Sequence, residues 1–149
     1  MDLILWRHAE AEDDAPDRER KLTAKGRRQA EKVAAWLNER LPDDARILAS
    51  PTARTQETAA ILKRPFDTVA AIGPGASWAA IIEATGWPDH SGATVIVGHQ
   101  PVLGEVAARL LAGEASSWSV KKGALWWFTH RGRDSTGTML RAVIGPDLV

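Results

Sequence analysis

The stretch Leu3-Ile4-Leu5-Trp6-Arg7-His8 is an uninterrupted apolar run that ends abruptly at an arginine and a histidine. A continuous apolar run favours a strand buried on both faces over a strand with one solvated face. A second run of this kind, Thr94-Val95-Ile96-Val97, ends in Gly98-His99. Such strands are typical of parallel sheets covered by helices on both faces. The two stretches therefore predict an α/β fold with polar side chains at the carboxyl ends of its strands.

Helical and strand patterns alternate along the rest of the sequence. Apolar residues recur at helical spacing from a capping Thr23 to Leu41, and Pro42 ends the helix. Ser50 is predicted to cap the next helix, with Pro51 in its first turn. The remaining predictions are strands at 46–49 and 67–72, helices at 50–63, 78–85 and 101–112, and late strands at 123–129 and 138–144 joined by a polar stretch at 131–137. This order predicts one domain over residues 1–149, with a three-layer α/β/α arrangement, a mostly parallel sheet and an antiparallel C-terminal hairpin.

Composition excludes several function classes. The 149 residues contain no cysteine, which excludes disulfides, zinc ribbons and cysteine nucleophiles. Nineteen basic residues balance nineteen acidic ones, so neither nucleic acid nor an anionic membrane is expected as the main partner. The N-terminal apolar run is too short for a signal peptide, and no window approaches a membrane span of about 18 apolar residues. The expected location is the cytoplasm.

Four polar residues stand where such a fold binds ligands, at the carboxyl ends of the strands. Arg7 and His8 end the first strand, Arg54 follows the second, and His99 ends the fourth. Arginines present charged forks to phosphate oxygens, and a histidine can act as nucleophile, acid or cationic stabiliser. This combination predicts phosphoryl transfer, in which a neutral imidazole would form a phosphohistidine that water later hydrolyses. No cluster of aspartates or glycine-rich lysine loop indicates magnesium, so no metal or other cofactor is expected.

Four separated motifs, read together, resemble the histidine phosphatase superfamily, whose fold is phosphoglycerate mutase-like. Within it they look most like the small phosphohistidine phosphatases of the SixA type. The motifs are Leu5–Ala11, Leu22–Gly26, Ser50–Ala59 and Val97–Pro101. The resemblance implies that His8 is the nucleophile and that Arg7, Arg54 and His99 hold the phosphoryl group. It also implies that Arg20, just before the second motif, faces the pocket.

Three positions bear on which branch of the superfamily the chain resembles. Ala9 replaces the commoner glycine, as in many SixA-like members, and Gln100 stands where the phytase-like branch has an aspartate. Glu83 is the one carboxylate between Gly73 and Asp89, the segment in which the mutase-like branch has its glutamate, but it falls inside a predicted helix. It is the possible general acid. Absence of a clear acid favours a phosphoramidate substrate, because a phosphohistidine nitrogen leaves readily once solvent protonates its ring.

The leading hypothesis is therefore a metal-independent phosphatase that dephosphorylates phosphohistidine in a protein. One alternative is a phosphomonoesterase acting on a small sugar or nucleotide phosphate. A second is a non-catalytic phosphate-binding or phosphotransfer module. The expected partners are accordingly a phosphohistidine-bearing protein or a small phosphorylated substrate, together with phosphate ion.

The acidic run, the tryptophan pair and the two remaining histidines each allow two structural interpretations. The acidic run from Glu10 to Glu19 is either a solvated loop or a rim that attracts basic protein surfaces. Trp126 and Trp127 are adjacent in a strand, so one ring is expected in the core and the other exposed or covering a helix. His90 and His130 lack a supporting motif and are expected to be structural or solvated.

Overall fold

The computed structural model describes residues 1–132 and 137–149, and its centre is a six-stranded sheet. The strands are β1 (Asp2–Arg7), β2 (Arg46–Ala49), β3 (Asp67–Thr68), β4 (Ala93–Gly98), β5 (Leu125–His130) and β6 (Thr138–Ile144). The helices are α1 (Ala24–Asn38), α2 (Ala53–Ala60), α3 (Trp78–Thr85) and α4 (Val102–Ala112), with short 3-10 helices at Asp17–Glu19, Ala70–Ile72 and Pro146–Leu148.

The strand order β3-β2-β4-β1-β5-β6 confirms a mostly parallel sheet with an antiparallel C-terminal pair. Strand β4 lies between β1 and β2 and is parallel to both, whereas β5 runs antiparallel to β1 and to β6. Arg7 is paired with Gly98, so His8 and His99 leave neighbouring strands at the same edge of the sheet. Part of the connection between β5 and β6, residues 133–136, lies outside the described residues.

Helices cover both faces of the sheet, which confirms the three-layer arrangement. Alternate side chains of β1 point to opposite faces, as a strand requires. Trp6 joins a buried cluster with Leu37 of α1, and Leu5 joins a second cluster with Leu103 of α4. The sheet is therefore buried on both sides, in agreement with its uninterrupted apolar strands.

The tryptophan pair of β5 divides between the two clusters as expected. Trp127 is buried on the α1 side, where its ring meets Trp36 edge-on with 6.2 Å between centroids. Trp126 is half-buried on the other side, where its ring lies near Trp118 and Phe128. Both rings therefore cover the sheet rather than forming a separate surface.

Several predicted boundaries were wrong. Helices α1 and α2 each end three residues earlier than predicted, and two further differences have a clear cause. The second helix begins at Ala53 rather than at Ser50, because the Thr52 hydroxyl caps it by accepting from the Thr55 amide while the Ser50 hydroxyl pairs with His99. The strand predicted at 67–72 pairs with β2 only over Asp67–Thr68. The chain then turns into a 3-10 helix that buries Ile72 completely, so core packing ends the strand early.

The first late strand, β5, also starts later than predicted, whereas β6 matches its predicted span of 138–144. Gly123 has a φ of 75°, a left-handed conformation that cannot continue a strand, and β5 therefore begins at Leu125. Among the described residues, no helix is long and apolar enough to cross a membrane.

Candidate active site

The carboxyl ends of β1, β2 and β4 converge on a cavity of about 290 Å³. All five residues expected there, Arg7, His8, Arg20, Arg54 and His99, line it together. The other lining residues are Ala11, Asp17, Pro74, Gly75, Gln100 and Lys122. Side chains that are far apart in sequence thus meet at one edge of the sheet, as the rule for parallel sheets predicts.

The His8 imidazole is buried and held in one tautomer. Its Nδ1 lies 2.8 Å from the carbonyl oxygen of Ala9. Because a carbonyl only accepts, Nδ1 carries the proton and Nε2 keeps a free electron pair. Burial, opposed by the hydrogen bond to Ala9 and reinforced by the nearby His99, Arg54 and Arg7, lowers the pKa of His8 to about 3. At neutral pH His8 is therefore in the form that a nucleophile requires.

His99 is held in the opposite tautomer. Its Nε2 lies 2.7 Å from the Ser50 hydroxyl, and its Nδ1 lies 3.4 Å from the Arg54 Nη2. A guanidinium can only donate, so Nδ1 is the acceptor and Nε2 donates to Ser50. Burial, followed by the charge of Arg54, lowers the pKa of His99 to about 4. The rings of His8 and His99 are 5.5 Å apart between centroids.

Backbone carbonyls hold the guanidiniums of Arg7, which is half-buried, and Arg54, which is buried. Arg7 donates from Nη1 to the Val120 carbonyl at 2.9 Å, and Arg54 donates from Nη1 to the Asp17 carbonyl at 2.7 Å. The Nε atoms of both arginines are buried and have no hydrogen-bond partner among the described residues. Both arginine side chains line the cavity, where charged N–H donors suit an oxyanion. Burial lowers the pKa of both guanidiniums, although arginine remains cationic at neutral pH.

Helix α2 places Arg54 through a set of threonine hydroxyls. Arg54 lies in the first turn of this helix, where backbone amides and the helix dipole also favour an anion. The Thr55 hydroxyl donates to the Ser50 carbonyl at 2.8 Å, and the Ala9 amide donates to the Thr58 hydroxyl at 3.2 Å. These bonds fix α2 against the segments that carry His8 and Ser50.

Part of the acidic run forms a wall of the cavity. The Asp17 carboxylate lies 3.3 Å from Arg54 and 3.1 Å from Arg20, through the Nη2 atom of each arginine. Although partial desolvation opposes ionisation, Arg54 and Arg20 lower the pKa of Asp17 below its usual value. Asp17 is exposed like Asp13 and Asp14, but it lines the cavity and so departs from the expectation of a purely solvated loop.

Sequence reasoning missed three contributors. Ser50 was expected to cap a helix, and Asp17 and Lys122 had no motif. The residue types give little signal in isolation, since only the fold brings them to the cavity. Gln100 also lines the cavity, but its amide is used to join Trp118 and Gly104: Nε2 donates to the Trp118 carbonyl and Oε1 accepts from the Gly104 amide.

The candidate general acid is not at this site. Glu83 is exposed on α3 and does not line the cavity. His90 is also exposed, and His130 is buried elsewhere, with its Nδ1 2.8 Å from the Thr138 hydroxyl. Within the described residues no three His, Cys, Asp or Glu side chains are grouped as metal ligands.

Comparison with known proteins agrees with this geometry. Residues 3–75 match the histidine phosphatase superfamily (branch 1). A protein of unassigned function from Picosynechococcus sp. (strain PCC 7002) is 34% identical over 128 residues, which is 76% of this chain and 75% of that protein. The chain belongs to the histidine phosphatase superfamily.

Solved structures place this histidine phosphatase near SixA proteins. The structure of the protein histidine phosphatase SixA complexed with tungstate has a TM-score of 0.82 and 22% identity, over 99% of this chain and 98% of that one. A SixA structure from Nakamurella multipartitia has a TM-score of 0.80 and 25% identity, over 97% and 95% of the two chains.

Other phosphatases share the fold at lower identity. An alpha-ribazole phosphatase from Shigella flexneri has a TM-score of 0.68 and 18% identity, over 98% of this chain and 97% of that one. A phosphoserine phosphatase from Entamoeba histolytica has a TM-score of 0.74 and 14% identity, over 99% and 98%. The family and these neighbours support a phosphatase, while their substrates differ from one to the next.

Proposed function

We propose that this phosphatase hydrolyses phosphohistidine in a protein through a covalent phosphoenzyme on His8. The proposal rests on the state of His8. Its ring is neutral, the Ala9 carbonyl fixes the proton on Nδ1, and Nε2 is left free beside the guanidiniums of Arg7 and Arg54. A free imidazole nitrogen next to two fixed cations can attack a phosphoryl group whose charge those cations neutralise.

In the first step, a bond forms between His8 Nε2 and phosphorus, and the bond from phosphorus to the substrate nitrogen breaks. The leaving imidazole takes its proton from solvent. Arg7 and Arg54, whose side chains line the cavity, bind the equatorial oxygens through their guanidinium groups. In the second step, water attacks the phosphoenzyme, inorganic phosphate leaves, and neutral His8 is restored.

His99 changes its protonation when the anion binds. In the empty cavity its Nδ1 accepts from Arg54 and its Nε2 donates to Ser50. A phosphoryl dianion beside the ring favours the imidazolium, because opposite charge raises a histidine pKa. Nδ1 then becomes a donor to a phosphoryl oxygen while Nε2 stays on Ser50, so His99 stabilises charge in the transition state.

The lack of a protonated carboxyl group among the described lining residues of the cavity favours a substrate with an activated leaving group. Among the described lining residues Asp17 is the sole carboxylic acid, and its lowered pKa keeps it ionised at neutral pH. An ionised carboxylate is a poor proton donor, and an alkoxide leaves slowly without one. A phosphohistidine nitrogen needs no acid from the protein, so this chemistry agrees with the SixA-like fold.

A panel of substrates tests the proposal. Phosphohistidine proteins, an aryl phosphate and small sugar and nucleotide phosphates should be compared by kcat/KM, with His8→Ala as the inactive control. The proposal predicts that phosphohistidine proteins rank first and that EDTA leaves the rates unchanged. A higher kcat/KM for a sugar or nucleotide phosphate would contradict it.

The second candidate is a phosphomonoesterase for a small phosphate. The alpha-ribazole and phosphoserine phosphatases that share this fold favour it. It requires a proton donor for an alkoxide, and Asp17 is the carboxyl group at the cavity that could supply one. A rate for sugar phosphates that falls as pH rises through the Asp17 pKa would favour this candidate over the first.

A further inference from the structure

A second and larger cavity, of about 610 Å³, lies beside the active site and is strongly basic. We call it the basic groove. It is lined by Lys25, Arg28, Gln29 and Lys32 of α1, by Lys121 and Lys122, and by Pro146 and Asp147. Five cationic side chains therefore surround one carboxylate. Within residues 1–132 and 137–149, none of the five forms an ion pair.

The basic groove adjoins the active site through Lys122, which lines both cavities. The backbone around Lys122 is bonded to the end of β1. Arg7 donates from its Nη1 to the Val120 carbonyl at 2.9 Å, and the Gly123 amide donates to the His8 carbonyl at 3.0 Å. The segment that carries the groove lysines is thus fixed to the residues that we propose bind and attack the phosphoryl group.

Gly123 contacts two of the residues that line the groove. Gly123 has a φ of 75°, and a Cβ there would lie 3.5 Å from both the Gln29 Cβ and the Pro146 Cγ. Its carbonyl accepts from the Trp6 Nε1 at 3.0 Å. The groove is therefore a formed concavity in which an amide, a proline ring and lysine stems offer polar and apolar contacts together.

We propose that the basic groove binds an acidic segment of the phosphoprotein substrate and so holds its phosphohistidine at the adjacent cavity; this rests on the proposed function. Charge complementarity favours an acidic partner, because unpaired cations that line a concavity attract carboxylates and steer their approach. A peptide chain can enter a concavity of this size, whereas a bilayer surface can contact only its rim. The zero net charge of the whole chain places this excess in one region rather than over the whole surface.

Direct binding tests the groove without using the enzymatic activity. The probe is a fluorescent peptide with an unphosphorylated histidine flanked by glutamates, compared with a peptide that has glutamines in their place. Wild type should bind the glutamate peptide roughly ten-fold more tightly than the glutamine peptide, and salt should weaken that binding. The variant Arg28→Gln with Lys32→Gln should remove the difference. The control Arg40→Gln with Lys63→Gln removes the same charge from other sites and should bind as wild type does.

Kinetics then connects the groove to catalysis. With the same two peptides phosphorylated on histidine, the Arg28→Gln and Lys32→Gln variant should raise KM for the glutamate peptide roughly ten-fold and leave kcat unchanged, as expected when a contact outside the reacting centre is lost. Its hydrolysis of an aryl phosphate should equal that of wild type.

The outcomes separate this proposal from the proposed function. Equal binding of both peptides to wild type, or an equal loss in the control variant, would overturn the docking proposal even if phosphohistidine is hydrolysed. Tighter binding to an RNA oligonucleotide or to phosphatidylserine vesicles than to the glutamate peptide, lost in the Arg28→Gln and Lys32→Gln variant, would overturn it in favour of another polyanion. Failure to hydrolyse either phosphopeptide, with peptide binding intact, would count against the proposed function alone.

Discussion

At the residue scale, a single hydroxyl group sets the orientation of a cavity histidine in the Ser50–His99 pair. Ser50 is completely buried at the end of β2, and its hydroxyl meets His99 Nε2 at 2.7 Å. This contact directs Nδ1 of His99 toward Arg54 and the cavity. We therefore propose that Ser50 positions His99, whereas its sequence context had indicated only a helix cap.

The Ser50→Ala variant removes that contact. We expect kcat for an aryl phosphate to fall roughly ten-fold, the order seen when an orienting hydrogen bond to a functional histidine is lost. The melting temperature should fall little in comparison. The matched control is Ser77→Ala, which removes a hydroxyl that caps α3. Equal kcat values for the two variants would show that Ser50 does not position His99.

On the proposed function, the Asp17 carboxylate competes with the incoming phosphoryl group for Arg54. Its carboxylate bonds Arg54 and Arg20, while its backbone carbonyl holds Arg54 separately. The Asp17→Asn variant removes the competing charge and keeps the carbonyl. We expect inorganic phosphate to inhibit this variant several-fold more tightly than wild type. In the control Asp14→Asn, an exposed residue of the same loop, the inhibition constant should not change. Weaker inhibition of Asp17→Asn would mean that the carboxylate chiefly positions Arg54.

At the scale of the element, one glycine of helix α1 sets how closely the helix packs against the segment that follows His8. Gly26 lies in the first turn of α1 against the backbone of Glu10, and a Cβ there would stand 2.0 Å from the Glu10 carbonyl oxygen. The helix and the segment that follows His8 can pack this closely only because the side chain is absent. Packing of α1 thus determines where the wall of the active site lies.

The Gly26→Ala variant should therefore be destabilised, although alanine normally favours a helix. We expect the free energy of unfolding to fall by about 1–3 kcal/mol, because backbone must move to admit the Cβ. Urea denaturation measures it, with the exposed Glu31→Ala on the same helix as a control expected to stay within about 0.5 kcal/mol. A more stable Gly26→Ala variant would show that the contact is relaxed in solution.

Element types were largely predictable from sequence, whereas some boundaries were not. The apolar runs of β1 and β4 and the period of α1 decide their own structure, because burial on one or both faces leaves a regular pattern. The start of α2 did not follow in the same way. Ser50 and Thr52 are both good capping residues on either side of Pro51, and only the tertiary contact of Ser50 with His99 selects Thr52 as the cap.

At the scale of the whole molecule, the buried histidines couple stability to pH. Unfolded histidines take up protons below about pH 6.5, but burial lowers the pKa of His8 to about 3 and of His99 to about 4. Between these values the unfolded state binds more protons, so stability rises with pH and is lost as the pH falls from about 6.5 toward 4.

Replacing one of these histidines should make the free energy of unfolding depend less on pH. In His8→Gln the slope of the unfolding free energy between about pH 6 and 4.5 should decrease by about 1.4 kcal/mol per pH unit, the value for one proton. Chemical denaturation at several pH values measures the slope. The control is His90→Gln, whose exposed ring should leave the slope close to that of wild type. Unchanged slopes for both variants would show that His8 titrates normally in the folded protein.

The two arginines and two histidines of the candidate site were predictable from sequence, whereas the residues around them were not. Arg7, His8, Arg54 and His99 carry motifs, and the parallel strands bring them together. Asp17 and Lys122 come from segments without a motif, and their place at the cavity follows from how loops fold over the sheet. Such placements depend on tertiary contacts that leave no local pattern in the sequence.

The central claim is that His8 accepts the phosphoryl group. The most direct measurement mixes the enzyme with a ³²P-labelled phosphohistidine donor, quenches in alkali and maps the labelled peptide. We expect one acid-labile, alkali-stable phosphate per chain on His8, and none in His8→Ala. Full labelling of His8→Ala, or a phosphate mapped to another residue, would contradict it.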